Sequence, residues 1–337
     1  MLQALPPVFA GLSPEDVQEA SALLQPMTLD AGEVVMEQGE QDTTLAFITQ
    51  GVASIMSGDV RIGGAGARDV LGLPELYSGQ PRLASVVASG PLQLLVLAPE
   101  NYDRLCQSGN PAVFNLERAA LKKLSERLRF YSEGISELSK GQPLELHPKT
   151  GFFHRISQSL RGTRVPDVDA ASVLSKSTLY SWADGSVVQQ IGEMFRVERF
   201  EAEHVLCRQG ENAERMWILV DGKVEVVVMV SSERAEALAT LQPGQAFGDA
   251  AMALGTPRSA SCVCHEEVTA LVLDREKYLE LYAVDDPVGS TFRVGMCRNL
   301  VSQLAAAQGR YVELVQMRDR GEEQVLRGTP ISSVWRD

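Results

Sequence analysis

The chain is written twice. Displaced by 171 residues, AGEVVMEQGE at 31–40 falls on AEHVLCRQGE at 202–211, Gly39 on Gly210 and Gly51 on Gly222. Further along the offset becomes 176: Gly72 meets Gly248, Pro81-Arg82 meets Pro257-Arg258, and Leu95-Val96-Leu97 meets Leu271-Val272-Leu273. The change in offset places an insertion in the second copy near VSSERAEALA, residues 230–239, where a hairpin loop absorbs it at little entropic cost. A repeat this long means two copies of one domain, because solenoid units are several-fold shorter.

Each copy opens with a helix. Ser13 can cap the first, Pro14 suits its first position, and Val17, Ala20, Leu23 and Leu24 form its apolar face; Val188, Ile191, Met194 and Phe195 form the matching face. Short runs of Val, Ile and Leu follow, broken by glycines, as in an antiparallel β-roll or jelly roll. Gly39, Gly51, Gly210 and Gly222 are expected in turn conformations closed to other residues. Each copy then ends in a long helix. Leu121, Leu124, Leu128, Tyr131, Ile135 and Leu138 alternate spacings of three and four, and Cys297, Leu300, Leu304, Ala307, Tyr311 and Leu314 repeat them. Such a heptad seam wants a partner helix, so the two seams are expected to pair, within one chain or across a homodimer. A helix lying on its own roll is the simpler alternative. The fold class is α+β, with boundaries at 1–140 for the first domain, 141–173 for a basic linker, 174–320 for the second domain and 321–337 for a polar tail.

A net charge of −13 repels phosphate backbones and disfavours direct nucleic-acid binding. The N-terminus lacks a basic region followed by an apolar run, and no apolar stretch reaches the roughly 18 residues of a membrane span. The five scattered cysteines read as reduced thiols of a cytoplasmic protein. Cys262 and Cys264 share a strand face and read as small buried hydrophobes, with no second ligand pair at metal-binding spacing. Residues 140–164 carry Lys140, Lys149, Arg155, Arg161 and Arg164 against Glu145, a solvated linker or a partner-docking segment. His147 and His154 read as linker residues rather than metal ligands.

The most specific stretch is FGDAAMALGTPRSA at 247–260. Phe-Gly-Asp, a turn of small residues and then Pro-Arg resembles the phosphate-binding cassette of the cyclic nucleotide-binding domain. That family includes bacterial cyclic AMP receptor proteins, regulatory subunits of cyclic AMP-dependent kinase and channel gating domains. The resemblance covers residues 10–140 and 174–320. It implies a site built from Phe247, Gly248, Asp249, Ala250, Ala251, Arg258, Ser259 and Ala260. The physics agrees. A cyclic phosphate is always charged, so enclosing it requires a cation and several donors. Arg258 can offer a forked guanidinium, and N–H groups near Ala250 and Ala251 can add donors. Gly248 permits close approach, and the alanines leave room for the sugar. The family places an acid after that glycine to accept the ribose 2′-hydroxyl. Asp249 holds the position in place of the usual Glu, about 1.5 Å shorter in reach, which bears on affinity more than on ligand class. Ser259 is compatible with cyclic AMP and cyclic GMP alike, and Gln303, Gln308 and Tyr311 are candidates to contact the base.

The first copy keeps Gly72 and Arg82, but Leu73 stands where the acid belongs and Leu83 replaces Ser259. Glu75 comes two residues too late to be its equivalent. Arg82 either holds a phosphate or pairs with an internal carboxylate, and the site is expected to be weakened or silent.

About two dozen mostly polar residues follow Leu314, too few for a helix-turn-helix, and no Arg-Arg pair of a kinase inhibitor segment occurs. No catalytic motif is visible, so no enzyme, metal or cofactor is expected. These readings converge on a bacterial-type cyclic nucleotide sensor. It binds cyclic AMP or cyclic GMP mainly in the second domain and signals through the helix at 291–316 to an unidentified protein partner. The alternative is a scaffold whose twin rolls serve protein interaction alone.

Overall fold

The structure, a computed structural model, describes residues 6–140, 163–164, 168–231, 234–320 and 328–330. The chain divides into two compact units, Met1–Ala120 and Leu121–Asp337. Most of the basic linker, including Glu145, His147, Lys149, His154, Arg155 and Arg161, lies outside the described residues, as do residues 321–327 and 331–337 of the tail at 321–337.

The first unit begins with a 3-10 turn, Pro7–Phe9, and helix α1 (Pro14–Ala22). Ser13 caps α1 by accepting from the N–H of Asp16 at 3.1 Å, with Pro14 in the first turn as expected. Strands β1 (Gln25–Leu29), β2 (Val34–Met36), β3 (Leu45–Gln50), β4 (Val52–Ser57), β5 (Val60–Gly66) and β6 (Val70–Leu71) follow. Then come α2 (Leu73–Ser78), β7 (Ser85–Ala88), β8 (Leu92–Leu97), α3 (Pro99–Ser108) and the start of α4 (Ala112–Leu138). The strands form two four-stranded antiparallel sheets, ordered β1-β8-β3-β6 and β2-β7-β4-β5.

The second unit opens with the rest of α4, then β9 (Thr163–Arg164), α5 (Ala170–Lys176) and α6 (Gly185–Glu193). Its roll contains β10 (Arg196–Phe200), β11 (Val205–Cys207), β12 (Arg215–Asp221), β13 (Val224–Ser231), β14 (Arg234–Leu241) and β15 (Ala246–Phe247). It closes with α7 (Asp249–Leu254), β16 (Ser261–Cys264), β17 (Val268–Asp274), α8 (Arg275–Ala283), α9 (Pro287–Asp319) and β18 (Gly328–Pro330). The sheets run β15-β12-β17-β10-β9 and β11-β16-β13-β14-β18. Without the edge strands β9 and β18 the pairing repeats that of the first unit strand for strand. The insertion falls in the β13–β14 hairpin, and Gly39, Gly51, Gly210 and Gly222 all take positive φ, between 87° and 95°. The sequence did not foresee α5. Nor does the apolar face at 188–195 stay helical: α6 stops at Glu193, Met194 closes it and Phe195 has left it.

The core of the second roll gathers Phe200, Trp217, Leu219, Val224, Phe247 and Val272. The division between units falls inside α4 because its later turns pack with the second roll and with α9. Ile135 and Leu314 enclose Val228 of β13, and Ser136 donates to the carbonyl of Met229 at 2.6 Å. The rings of Tyr131 and Tyr311 lie 5.3 Å apart. The two seams therefore meet within one chain at these positions. Gly134 makes this approach possible, since a Cβ there would stand 2.6 Å from the Tyr311 ring. On an open helix face Gly→Ala would stabilise by up to about 1 kcal/mol. Here Gly134→Ala is expected to destabilise by about 1–3 kcal/mol through overpacking. Thermal unfolding reads the sign, and adding Tyr311→Ala should remove most of the penalty.

Candidate functional site

A cavity of about 230 Å³ opens in the second unit. Its wall includes Gly248, Asp249, Ala250, Ala251, Arg258, Ser259 and Ala260. Phe247 lies beneath rather than on the wall, stacked on Trp217 with ring centroids 5.4 Å apart. Gly248, at φ 82°, caps α7, and a Cβ there would sit 2.7 Å from Nη1 of Arg258. Glycine is thus required twice over, for its backbone conformation and for the space the guanidinium takes.

Arg258 is buried, with its guanidinium 5.3 Å from the Trp217 ring centroid. Nη1 donates to the carbonyl of Gly248 at 2.5 Å, Nη2 donates to the carbonyl of Arg215, and Nε has no partner. None of the described carboxylates pairs with it. Its main chain is anchored as well: Arg258 N–H donates to Glu211 and its carbonyl accepts from Gly210, both in the loop after β11.

Asp249 is 1 % exposed. Oδ2 accepts from Asn299 of α9 at 3.3 Å, while Oδ1 has no partner. Burial pushes its carboxyl up to about 6, against the opposing pull of Asn299, the backbone of its own turn and Arg258. Asn299 also exchanges two hydrogen bonds of 3.0 Å with the backbone of Ala246, and Gln303 donates to that same carbonyl at 2.8 Å. Two side chains of α9 therefore grip the strand that leads into the cassette.

The roof has two sources. Ser302, Gln303, Ala306 and Ala307 come from α9, and Leu128 and Ser132 come from α4. Arg129 adds a hydrogen bond to the carbonyl of Pro257, immediately before Arg258, at 3.0 Å. Of the base-contact candidates, Gln303 lines the cavity. Tyr311 packs on Tyr131, and Gln308 accepts a 3.4 Å hydrogen bond from the Tyr131 hydroxyl. Sequence reasoning missed Asn299, Leu128 and Ser132. The heptad pattern on α4 is the available signal for Leu128, and it marks a seam without marking a roof.

In the first unit, Gly72 caps α2 at φ 87°, and Leu73 is buried at its first position. Arg82 is as buried as Arg258 but is neutralised. Nη1 donates to Glu75 at 3.1 Å, and Nη2 donates to Asp42 at 2.5 Å and to the carbonyl of Thr44 at 2.9 Å. The other Glu75 oxygen accepts from the N–H of Leu83 at 3.0 Å. The carboxylate of Glu75 thus bridges the arginine and the following amide, two donors an anion would use.

The cyclic nucleotide-binding domain family matches the chain twice, over residues 26–108 and 197–285, together just over half its length. The chain belongs to this family. A cGMP-dependent protein kinase of Caenorhabditis briggsae is 21 % identical over 272 residues, covering 80 % of this chain and 29 % of that protein. A CRP-like cAMP-activated global transcriptional regulator of Mycobacterium tuberculosis is 24 % identical over 115 residues, covering 34 % of this chain and 51 % of its own. This chain therefore spans at most about half the length of these relatives. The regulatory domain of Toxoplasma gondii PKA, solved with cAMP, is 16 % identical, with 82 % of this chain and 87 % of that one covered and a TM-score of 0.32. A score that low carries no argument about ligand or mechanism. Two tandem cyclic nucleotide-binding domains of α+β class account for both rolls. Among the described residues no helix is long and apolar enough to cross a membrane.

Proposed function

We propose that this chain is a regulatory module that binds one cyclic nucleotide, cyclic AMP or cyclic GMP, in its second domain. The observation that carries the reading is the difference between two buried arginines. Among the described residues Arg258, which borders a cavity, has backbone carbonyls but no carboxylate for partners, whereas Arg82 is held by Glu75 and Asp42. A buried cation with no carboxylate in hydrogen-bond contact is costly, and a phosphate supplies a directly paired charge. In the first domain Glu75 already does so, and that cassette is silent.

Asn299 and Gln303 supply a route for the signal. A ribose hydroxyl that engages Asp249, whose Oδ1 has no partner, shares the carboxylate with Asn299 and so alters the grip of α9 on Ala246. The resulting shift of α9 is what a protein partner reads, and it works only to the extent that ligand affinity differs between the two arrangements. Titration calorimetry of the full chain with each nucleotide tests this, with one site per chain expected. Absence of heat with either nucleotide, on protein verified to be ligand-free, transfers the case to a scaffold role.

Asp249 gives the site a pH signature. Its carboxyl titrates near 6 instead of at the usual aspartate value, so in the free protein the folded state binds the proton more tightly than the unfolded chain. The resulting stability is complete below the ordinary aspartate pKa and is lost as pH rises through about 6. Asp249→Asn should therefore raise stability at pH 7 by on the order of 2–3 kcal/mol and change little at pH 4. Ligand affinity moves the other way. A hydroxyl donating to Asp249 favours the carboxylate, so the affinity of the native chain should climb between pH 5 and 7 (roughly one unit either side of that midpoint). The asparagine variant should bind weakly with no such climb.

A further inference from the structure

Cys207 and Cys262 stand opposite each other across the β11–β16 pair, and both lie on the wall of the cavity. The register shifts between Val205 and Cys207, so the pair sits at a bulge; opposed residues of an antiparallel ladder have Cα atoms roughly 4.5–5.5 Å apart, within the span of about 4.4–6.8 Å that a disulfide bridges. The two buried thiols interact electrostatically, and Cys207 Sγ lies 4.0 Å from the carbonyl of Ala260 beside the cavity. At the matching place in the first unit, across β2–β7, the opposed residues are Met36 and Val86. The thiol pair therefore accompanies the cavity and is not a property of the repeat. The sequence pointed to Cys264 as the neighbour of Cys262, but Cys264 is fully buried in the roll core and absent from the cavity wall.

We propose that Cys207 and Cys262 form an oxidisable dithiol in the wall of the second cassette, converted by a hydroperoxide into a disulfide that ties β11 to β16. The chemistry divides between the two sulfurs. Of the two, Cys207 is the one drawn below the ordinary thiol range despite burial, by its thiol neighbour and by the Arg258 guanidinium, while Cys262 is raised. Cys207 is thus the nucleophile. Its thiolate attacks one peroxide oxygen, the O–O bond breaks, and hydroxide leaves to be protonated, giving a sulfenic acid. The Cys262 sulfur then displaces that oxygen as water and gives up its proton, forming the S–S bond. Two thiols lose two electrons and two protons, and one hydrogen peroxide becomes two waters. The link lies at the strand that leaves the Arg258 loop, so it fixes one wall of the binding cavity. A nucleotide in that cavity covers both sulfurs.

The test uses the reduced full chain, brief hydrogen peroxide exposure, alkylation and peptide mapping without reductant. A Cys207–Cys262 linked peptide is expected, forming at least about tenfold faster than any loss of Cys264. Cys262→Ser should leave a sulfenic acid at Cys207 that a dimedone probe traps, and Cys207→Ser should leave Cys262 reduced. The proposal is overturned if both cysteines stay reduced under exposure that oxidises the exposed Cys106, or if either pairs with a different cysteine. Cross-linking itself does not depend on the ligand reading, whereas protection by cyclic AMP or cyclic GMP does. At a concentration where calorimetry shows saturation, the nucleotide should slow cross-linking about tenfold or more. An unchanged rate at saturation would overturn the placement of the pair in the ligand's cavity. A link that forms in a chain without nucleotide binding upholds the dithiol and removes the ligand.

Discussion

Replacing Arg258 with alanine is expected to reduce cyclic nucleotide affinity by roughly 10²–10³-fold, the effect of about 3–4 kcal/mol, whereas Arg82→Ala leaves it unchanged. The size follows from what remains. With the guanidinium gone, the phosphate enters a half-enclosed cavity without its counter-charge and loses its charge-assisted hydrogen bonds. Arg258→Lys keeps the charge but not the fork, and it should recover only part of the loss. A melting curve must accompany the titration. Arg258 also satisfies the carbonyls of Gly248 and Arg215 and packs on Trp217, so the alanine variant forfeits some stability of its own. A folded Arg258→Ala variant with native affinity would sink the assignment of the site. Loss of affinity with Arg82→Ala would show that the first cassette is the working one.

The second large effect belongs to Glu75. Its carboxylate bridges Arg82 and the Leu83 amide in the first cassette. Removing one partner of a buried ion pair costs about 3–5 kcal/mol because the other charge is left uncompensated. Asp42 still holds Nη2 of Arg82 at 2.5 Å but is itself half exposed, so Glu75→Ala should destabilise by about 3 kcal/mol, the lower end of that range. The position makes the variant more than a lesion. By the repeat, Glu75 corresponds to Ala251, which lines the cavity of the second unit. Alanine therefore converts the first cassette toward the second, and inorganic phosphate should restore the lost stability by binding Arg82. Pairing Glu75→Ala with Leu73→Asp returns the ribose acceptor, and a second, weaker site should then appear in the titration. Stability that phosphate does not restore, together with a stoichiometry that stays at one, would mean that Glu75 is not what keeps this cassette closed.

Much of the architecture was legible because it depends on local backbone demands and on the repeat. Positive φ at the four turn glycines, the Ser13-Pro14 helix start and the matched strand runs are short-range features that leave a mark on composition and spacing. The cassette was legible for the same reason. From Phe247 to Ala260 is one continuous stretch of strand end, turn and helix, and the cavity collects seven of the eight residues named from it. Phe247 is the exception, since alternation along β15 turns its ring inward onto Trp217.

What the sequence settled by itself was a pair of rolls, two cassettes in register and a chemical difference between them at Leu73, Asp249, Leu83 and Ser259. It could not tell whether Arg82 was free. That depended on Asp42, forty residues upstream in the chain, and on the direction of a Glu75 side chain judged too late for one role and well placed for another. The tertiary structure also decided that Leu128 and Ser132 of α4 roof a cassette more than a hundred residues further along the chain, and that Cys207 faces Cys262. The reason is common to all three. A motif records what the backbone must do over a few residues, whereas the partner of a buried charge or thiol is chosen by strand pairing and helix packing, which bring together segments whose separation carries no pattern.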